Sequence, residues 1–430
     1  MKKDNKNKNE IKNKIRELIK EYYDIPPAPF NPDSDKVELS FPSYSGEDVA
    51  EALDSIFNGW PTIGPKVRQV EDKIADFIGV KNAVMVNSGA SANFLTLYLL
   101  SSPYAGDKHR LNPGDEVITP AVTWITTAAP IIQNGCIPVF TDVNLGSYDI
   151  NVKEIEKNIT KKTRALMIVH PMGCACEMDK VNDICKKHGL ILIEDCCESI
   201  GTKYGKKYVG SFGEFGTFSF YFSHHITSIE GGIIVTNNDG YADAFRCMRS
   251  NGWYREIRDE KLKEKVVAKN PGIDTSFMFP FIGFNFKPTD FAAGLVLNQI
   301  DRLGDFIKKR ALIAGRLTET LQKYSDYLHL PRAHELCRHG WFTYAITVKE
   351  NSRYSKKDLT DFLKKKRIAT RPIIAGNITD QPFLKDFSFR KGDLHNSELV
   401  MKNGFFVGIH HMMDERQIKY MTNAFEEFFA

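Results

Sequence analysis

Two adjacent histidines, His224 and His225, follow the β-rich run Phe215 to Phe222 and precede the turn Glu230-Gly231-Gly232. An imidazole titrates near neutral pH, so a histidine at the mouth of a strand can pass a proton in either direction. The glycines allow close approach of the backbone to a bound group. Taken alone, the same residues also describe a histidine pair on an exposed turn. Three other segments give them company. Asn87-Ser88-Gly89-Ala90-Ser91-Ala92-Asn93 joins a strand to a helix, and its small residues leave the first helical N–H groups open to an anion such as phosphate. Trp124 follows a strand end in Pro120-Ala121-Val122-Thr123-Trp124 and is either a flat stacking surface or ordinary core. Asp195 closes the buried run Ile193-Glu194-Asp195, where it either caps a loop or holds the proton of a ring nitrogen.

These segments need strand ends to carry them, and the chain supplies an alternation of strands and helices. Strands are expected at Ala83–Asn87, Val117–Thr119, Ile137–Asp142, Ala165–His170, Leu190–Glu194, Phe215–Phe222 and Ile233–Thr236. Helices are expected at Gly46–Asn58, Ala90–Leu100, Ile125–Gln133 and Asp179–Lys187. The pattern predicts an α/β fold with a mostly parallel sheet, which binds ligands at the carboxyl ends of its strands. Residues 256–280 are polar and carry Pro271 and Pro280, which predicts a loop. Helices follow from Thr289 to Tyr324. A last section has a strand at Tyr344–Val348, a helix at Lys356–Lys365, a strand into Arg371 and a closing helix capped by Asp414 with Gln417 three residues on. We expect residues 1–45 to form an N-terminal helix and extension, 46–290 a large domain, and 291–430 connecting helices and a small α/β domain. In the extension, Ile11, Ile15, Leu18, Ile19 and Tyr22 share one helical face before Pro26.

The 430 residues are 42% hydrophobic and 26% charged, as in a soluble globular protein. A net charge of +4, much of it in the first twenty residues, points to neither nucleic acid nor membrane as a partner. Without a signal-peptide core or an apolar span, the cytoplasm is the expected compartment. Of eight cysteines, only Cys174 and Cys176 form a close C-x-C pair, and no second pair stands at zinc-like spacing, so no metal site is expected.

From about Gly59 to the C-terminus the chain resembles the DegT/DnrJ/StrS family of sugar aminotransferases, which act on nucleotide-linked 4-keto sugars. The resemblance rests on Trp60-Pro-Thr-Ile-Gly-Pro65, Asn87-Ser-Gly-Ala90, Gly114-Asp-Glu-Val-Ile-Thr119, Ile193-Glu-Asp195, Gly283-Phe-Asn-Phe-Lys287 and Arg371-Pro372. It implies the aspartate aminotransferase fold (fold type I) with pyridoxal 5'-phosphate, or its pyridoxamine form, as cofactor. Within the family, the segment Ser-Phe-x-x-x-Lys-x-x-x-x-x-Glu-Gly-Gly carries the lysine that holds the cofactor covalently. Here His224 stands at that position. The change resembles the 3-dehydratases of the family, in which the histidine is the catalytic base. One branch takes a CDP-linked sugar, carries an iron–sulfur cluster and has several cysteines where this chain has none between Cys247 and Cys337. The other takes GDP-4-keto-6-deoxymannose and glutamate. Arg249-Ser-Asn-Gly-Trp253, Arg371-Pro-Ile-Ile-Ala-Gly-Asn377 and Phe406-Val-Gly-Ile-His410 resemble the second.

The resemblance implies roles position by position. Ser88, Gly89, Ala90 and Ser219 hold the phosphate, Trp124 stacks on the ring, and Asp195 pairs with its nitrogen. Glu198 contacts the ring's surroundings, and Asn285 of the partner subunit of a homodimer completes the phosphate site. Arg371 and Asn377 bind substrate, with Arg371 on the glutamate carboxylate or the sugar diphosphate. His225 is structural. No iron–sulfur cluster is expected. The co-substrates are L-glutamate and a GDP-linked 4-keto-6-deoxy hexose or heptose. A lysine-less protein that only binds cofactor or nucleotide sugar is the competing class.

Overall fold

The computed structural model describes residues 2–107 and 109–430. Seven strands, β1 (Asn82–Val86), β2 (Glu116–Pro120), β3 (Ile137–Thr141), β4 (Thr163–Val169), β5 (Ile191–Asp195), β6 (Phe215–Ser219) and β7 (Gly232–Thr236), form the body of the large sheet. Their order is β1-β7-β6-β5-β4-β2-β3, and a short strand at Arg390–Lys391 pairs in parallel with β3. Only β7 runs against the rest. The strands are apolar on both faces, as a sheet covered on both sides requires. Ala83 and Met85 of β1 join one core, with Ile118, Leu166 and Ile168. Val84 and Val86 join the core on the opposite face, with Val117, Ala165 and Met167.

The carboxyl ends of β5 and β6 therefore point the same way, and β7 starts beside the end of β6. That return strand brings the Glu230-Gly231-Gly232 turn back to the loop after β1: a Cβ on Gly232 would strike the backbone of Ser88 and Gly89. β6 ends at Ser219, three residues before the run Phe215 to Phe222 does. The Ser219 hydroxyl oxygen accepts from the Tyr221 N–H at 3.2 Å, and this local bond competes with the ladder and turns the chain.

A smaller sheet, in the order Leu328–His329, Tyr344–Val348, Gly404–Val407 and Thr370–Arg371, packs with the helices Lys356–Lys365 and Glu415–Phe429. The last helix starts with a full capping box between Asp414 and Gln417. The long helix Gln299–Leu321 links the two sheets. The domain boundaries differ from expectation in two places. Phe30 and Val37 of the extension belong to the small core, and Val37 bridges Ile368. In the other direction, Arg390–Lys391 crosses back to the large sheet.

Residues 256–280 are not all loop. Glu260–Lys269 is a helix capped by the Asp259 carboxylate on the Lys261 and Leu262 N–H groups. None of its residues is buried, so it lacks the apolar stripe that reveals helices in a sequence; good helix formers and the cap sustain it. The N-terminal helix, Lys2–Asp24, lies on Gly46–Phe57 through Arg16, which reaches both Glu47 and Asp54, and through Lys20 to Glu47 at 2.7 Å. Gly46 has no room for a side chain against Ile19, Lys20 and Tyr23.

A buried ion-pair network ties three elements of the large domain together. Glu71, in the helix Pro65–Ile78, accepts from Arg249, Arg258 and the Met85 N–H of β1. Both Arg249 and Glu71 are fully buried, and the guanidinium groups hold the carboxylate below its usual range despite the burial that opposes them. Glu71→Ala leaves Arg249 as an uncompensated buried charge. Urea denaturation should show a loss of about 3–5 kcal/mol, whereas Asp361→Ala, in an exposed pair with Lys357, should cost less than about 0.5 kcal/mol.

Candidate active site

The carboxyl ends of β5 and β6 and the loops after β1 and β2 surround a cavity of about 580 Å³ that the small domain closes from one side. Ser88, Gly89, Ala90, Trp124, Asp195, Glu198, Ser219, His224 and Arg371 all line it. The helix Gly89–Ser101 starts at the cavity, with Ser88 as N-cap accepting from the Ser91 N–H at 3.1 Å. Its first N–H groups, its dipole and the Ser219 hydroxyl converge on one spot. Gly89 leaves that spot open: a Cβ there would lie 2.7 Å from Ser219 Cβ and 3.0 Å from Cys197 Sγ.

Trp124 is 57% exposed, so it is not core. It forms the N-cap of Ile125–Gln133 and presents its ring to the cavity. Asp195 is buried, and its Oδ2 accepts from Asn93 Nδ2 and Thr127 Oγ1, each at 2.7 Å. Its Oδ1 accepts from the Cys197 N–H at 3.1 Å, so the side chain does cap the loop. A carboxylate has about four acceptor positions, which leaves capacity for one further N–H from the cavity.

His224 is half-buried, and its Nδ1–H donates to the Cys197 carbonyl at 2.5 Å. That bond fixes the tautomer and leaves Nε2 as the nitrogen able to take a proton. Burial is the main cause that pulls its pKa down to about 4, with Arg310 adding to it against the Cys197 carbonyl and Asp195. The imidazole is therefore neutral at physiological pH. His225 is wholly buried and points away: its Nε2–H donates to the Gly340 carbonyl at 2.9 Å, and it does not line the cavity. Glu198 accepts from the Met172 N–H at 2.8 Å, and burial raises its pKa to about 7. The cavity thus holds two proton carriers, one empty and one half-loaded near neutrality.

One expected residue, Asn377, lies outside the cavity lining, and Asn285, expected to act from a partner subunit, lies outside the chain's own cavity. Asn377 is fully buried and outside the cavity lining; its Oδ1 accepts from the Thr379 N–H and hydroxyl, so it serves as the cap of a short turn. Asn285 is exposed and does not line the chain's own cavity, although neighbouring Phe286 accepts the Asn87 N–H at 3.0 Å. Four further residues belong to the site: Thr127, Cys197 and Phe342 line the cavity, and Asn93 holds Asp195. Asn93 gave a signal, a buried amide in a Leu-rich helix four residues after Gly89; the other three gave none. Among the described residues, one buried group of metal-type ligands exists, His170, Glu194 and Cys196. Glu194 is already engaged by His170 and by the N–H groups of Gly210, Phe212 and Gly213.

Residues 42–426 match the DegT/DnrJ/EryC1/StrS aminotransferase family. The chain belongs to that family. Within it, the chain is 35% identical to the lipopolysaccharide biosynthesis protein RfbH of Salmonella typhimurium, over 98% of this chain and 99% of that protein. It is 34% identical to a GDP-4-keto-6-deoxy-D-mannose 3-dehydratase of Escherichia coli O55:H7, over 84% of this chain and 92% of that one. A crystal structure of GDP-4-keto-6-deoxymannose-3-dehydratase with a trapped PLP–glutamate geminal diamine superposes with a TM-score of 0.82 at 30% identity, covering 90% of this chain and 99% of that chain. The family depends on pyridoxal phosphate, and the site fits the group. Gly89 clears the phosphate position, Trp124 offers a ring face, and Asp195 sits where a ring nitrogen could meet it.

Gly89→Ala should weaken pyridoxal phosphate binding roughly tenfold or more, through forced displacement of Ser219 and Cys197. Absorbance titration of the folded variant checks this, and an unchanged affinity would remove the phosphate from this spot.

Proposed function

We propose that this DegT/DnrJ/EryC1/StrS family member is a glutamate-dependent 3-dehydratase of a GDP-linked 4-keto-6-deoxy sugar, hexose or heptose. Its product is a 4-keto-3,6-dideoxy sugar for surface polysaccharide synthesis. The observation that carries the reading is the imidazole of His224 in the cavity where family aminotransferases carry an amine. Bound pyridoxal phosphate supplies an amino group taken from glutamate and an electron sink for the bonds that break.

The chain's own groups supply the rest. The N–H groups of the Gly89–Ser101 helix and the Ser219 hydroxyl bind the phosphate. Asp195, fixed by Asn93 and Thr127, orients the ring and favours its protonated nitrogen. His224 Nε2, neutral and backed by the Cys197 carbonyl, takes a proton and can return it to the departing 3-hydroxyl. Arg371, exposed at the cavity from the small domain, offers a guanidinium to a carboxylate or diphosphate. The small-domain wall of Phe342, Ile374 and Phe406 keeps water from the reacting carbons.

A homodimer is part of the proposal. Phe277, Phe279 and Ile282, close in sequence to Asn285, are exposed, as are Phe57 and Trp60, and large exposed apolar side chains of this kind suit a subunit interface. A second reading keeps the chemistry but changes the nucleotide. It is favoured by the likeness to a dTDP-4-dehydro-2,6-dideoxy-D-glucose 3-dehydratase of Saccharopolyspora spinosa, 37% identical over 85% of this chain and 81% of that protein. Turnover of GDP-, CDP- and dTDP-linked 4-keto-6-deoxy sugars, followed by mass spectrometry, separates the two.

Incubation with pyridoxal phosphate and glutamate should yield 2-oxoglutarate, and dehydration should then proceed without an iron–sulfur reductase. A strict need for that reductase would sink the glutamate-driven reading. His224→Asn should lower dehydration on the order of a hundredfold to ten-thousandfold, while His225→Asn should act mainly on stability. His224→Lys should trap the cofactor in a borohydride-reducible link that the wild type lacks. If His225→Asn alone abolishes dehydration, the wrong histidine has been named.

A further inference from the structure

Behind the cavity, the helix Gln299–Leu321 carries Arg310, whose side chain is among the largest that are fully buried. No carboxylate pairs with it among the described residues. Its Nη1 donates to the Phe342 carbonyl at 2.8 Å and the Trp341 carbonyl at 3.5 Å, and its Nε has no partner. A buried guanidinium without a counter-charge is costly and calls for a reason.

The segment it grips is held from every side. Trp341 sits in the left-handed region at φ 55°, a strained conformation for an aromatic residue. The Gly340 N–H donates to the Gly173 carbonyl at 2.7 Å, and the Phe342 N–H to the Met172 carbonyl at 3.0 Å. His225 holds the Gly340 carbonyl. The outcome of this clamp is the Phe342 ring, whose centre lies 5.0 Å from that of His224 and 5.7 Å from that of His225.

We propose that Arg310 is a positioning residue for His224: its guanidinium fixes the strained backbone that carries the Phe342 ring against the imidazole. The inference rests on the assignment of His224 as base. Charges and titratable groups face His224 from each neighbouring element. From the end of β5 and the loop after it come Asp195, Cys197 and Glu198; on its own loop are Tyr221, His225 and Glu230; the small domain contributes Arg371; and Arg310 stands behind. Asp195 favours the imidazolium and Arg310 disfavours it, while burial acts with Arg310. The same guanidinium adds to the burial that holds the pKa values of His225, His410 and His411 down.

The test reads the imidazole itself. NMR of protein labelled with 15N-histidine, with the His224 signal assigned by its loss in His224→Asn, should show wild-type His224 titrating below about pH 5. Arg310→Met should raise that value, because the guanidinium opposes the imidazolium. Arg310→Lys should leave it in place, yet lower turnover roughly tenfold, because the shorter lysine stem does not carry its ammonium to the position from which Nη1 holds the Phe342 and Trp341 carbonyls. A wild-type value near 6.5, or a folded Arg310→Met with an unmoved titration, overturns the electrostatic role. Should Arg310→Met not fold, the wild-type titration and Arg310→Lys still decide, since wild-type turnover in the lysine variant overturns the positioning role. Failure of the dehydratase assignment looks different: no sugar is turned over, while the titration of His224 responds as described.

Discussion

One hydrogen bond organises the catalytic end of this molecule, from His224 Nδ1 to the carbonyl of Cys197. A carbonyl can only accept, so the bond decides which ring nitrogen carries the proton and leaves the other empty. Everything around the cavity serves or exploits that choice. Cys197 is placed by Asp195, whose Oδ1 receives its N–H, so Asp195 and His224, which lie on different loops, are tied to the same residue. Movement of either would be felt by the other across a single residue. The parallel pairing of β5 and β6 makes such sharing possible, because both strands end on the same side of the sheet.

The sheet and its site were largely legible in the sequence because both depend on short-range signals. Apolar runs gave the strands to within one or two residues at most boundaries, as at β5 and β7. Small residues after β1 marked the helix start, and the Gly-Gly after Glu230 marked a close approach that proved to be with the Ser88–Gly89 backbone. What escaped had no local signature. The helix Glu260–Lys269 buries nothing, so its pattern reads as loop. Phe342 and Arg310 reach the histidines from more than eighty residues away, through carbonyls that no side-chain pattern reveals. The burial of Asn377 has no local signature either: it sits in a motif beside Arg371, but the chain turns between them and buries the amide.

The small domain is less separate than a two-domain outline suggests. Chain from both ends of the sequence enters it, with Phe30 and Val37 packed beside Phe425 and Phe429. The strand Arg390–Lys391 leaves it again to finish the large sheet. These crossings, together with the clamp of Met172 and Gly173 on Gly340 and Phe342, hold the cavity wall against its floor. A site that must admit a bulky nucleotide sugar is thereby built between parts stitched at several points.

The antiparallel return of β7 also has a consequence for the birth of the protein. β1 is an edge strand, and β7 is its only neighbour in the sheet. The ribosome must therefore release about 150 further residues between the two before β1 can pair. At the usual pace of synthesis this is an interval on the order of ten to thirty seconds. Throughout it Ala83, Val84, Met85 and Val86, all buried in the finished fold, have no ladder to join. The nascent chain is then most exposed to mispairing and to capture by chaperones, and the anion cradle that follows β1 takes shape only when the wait ends.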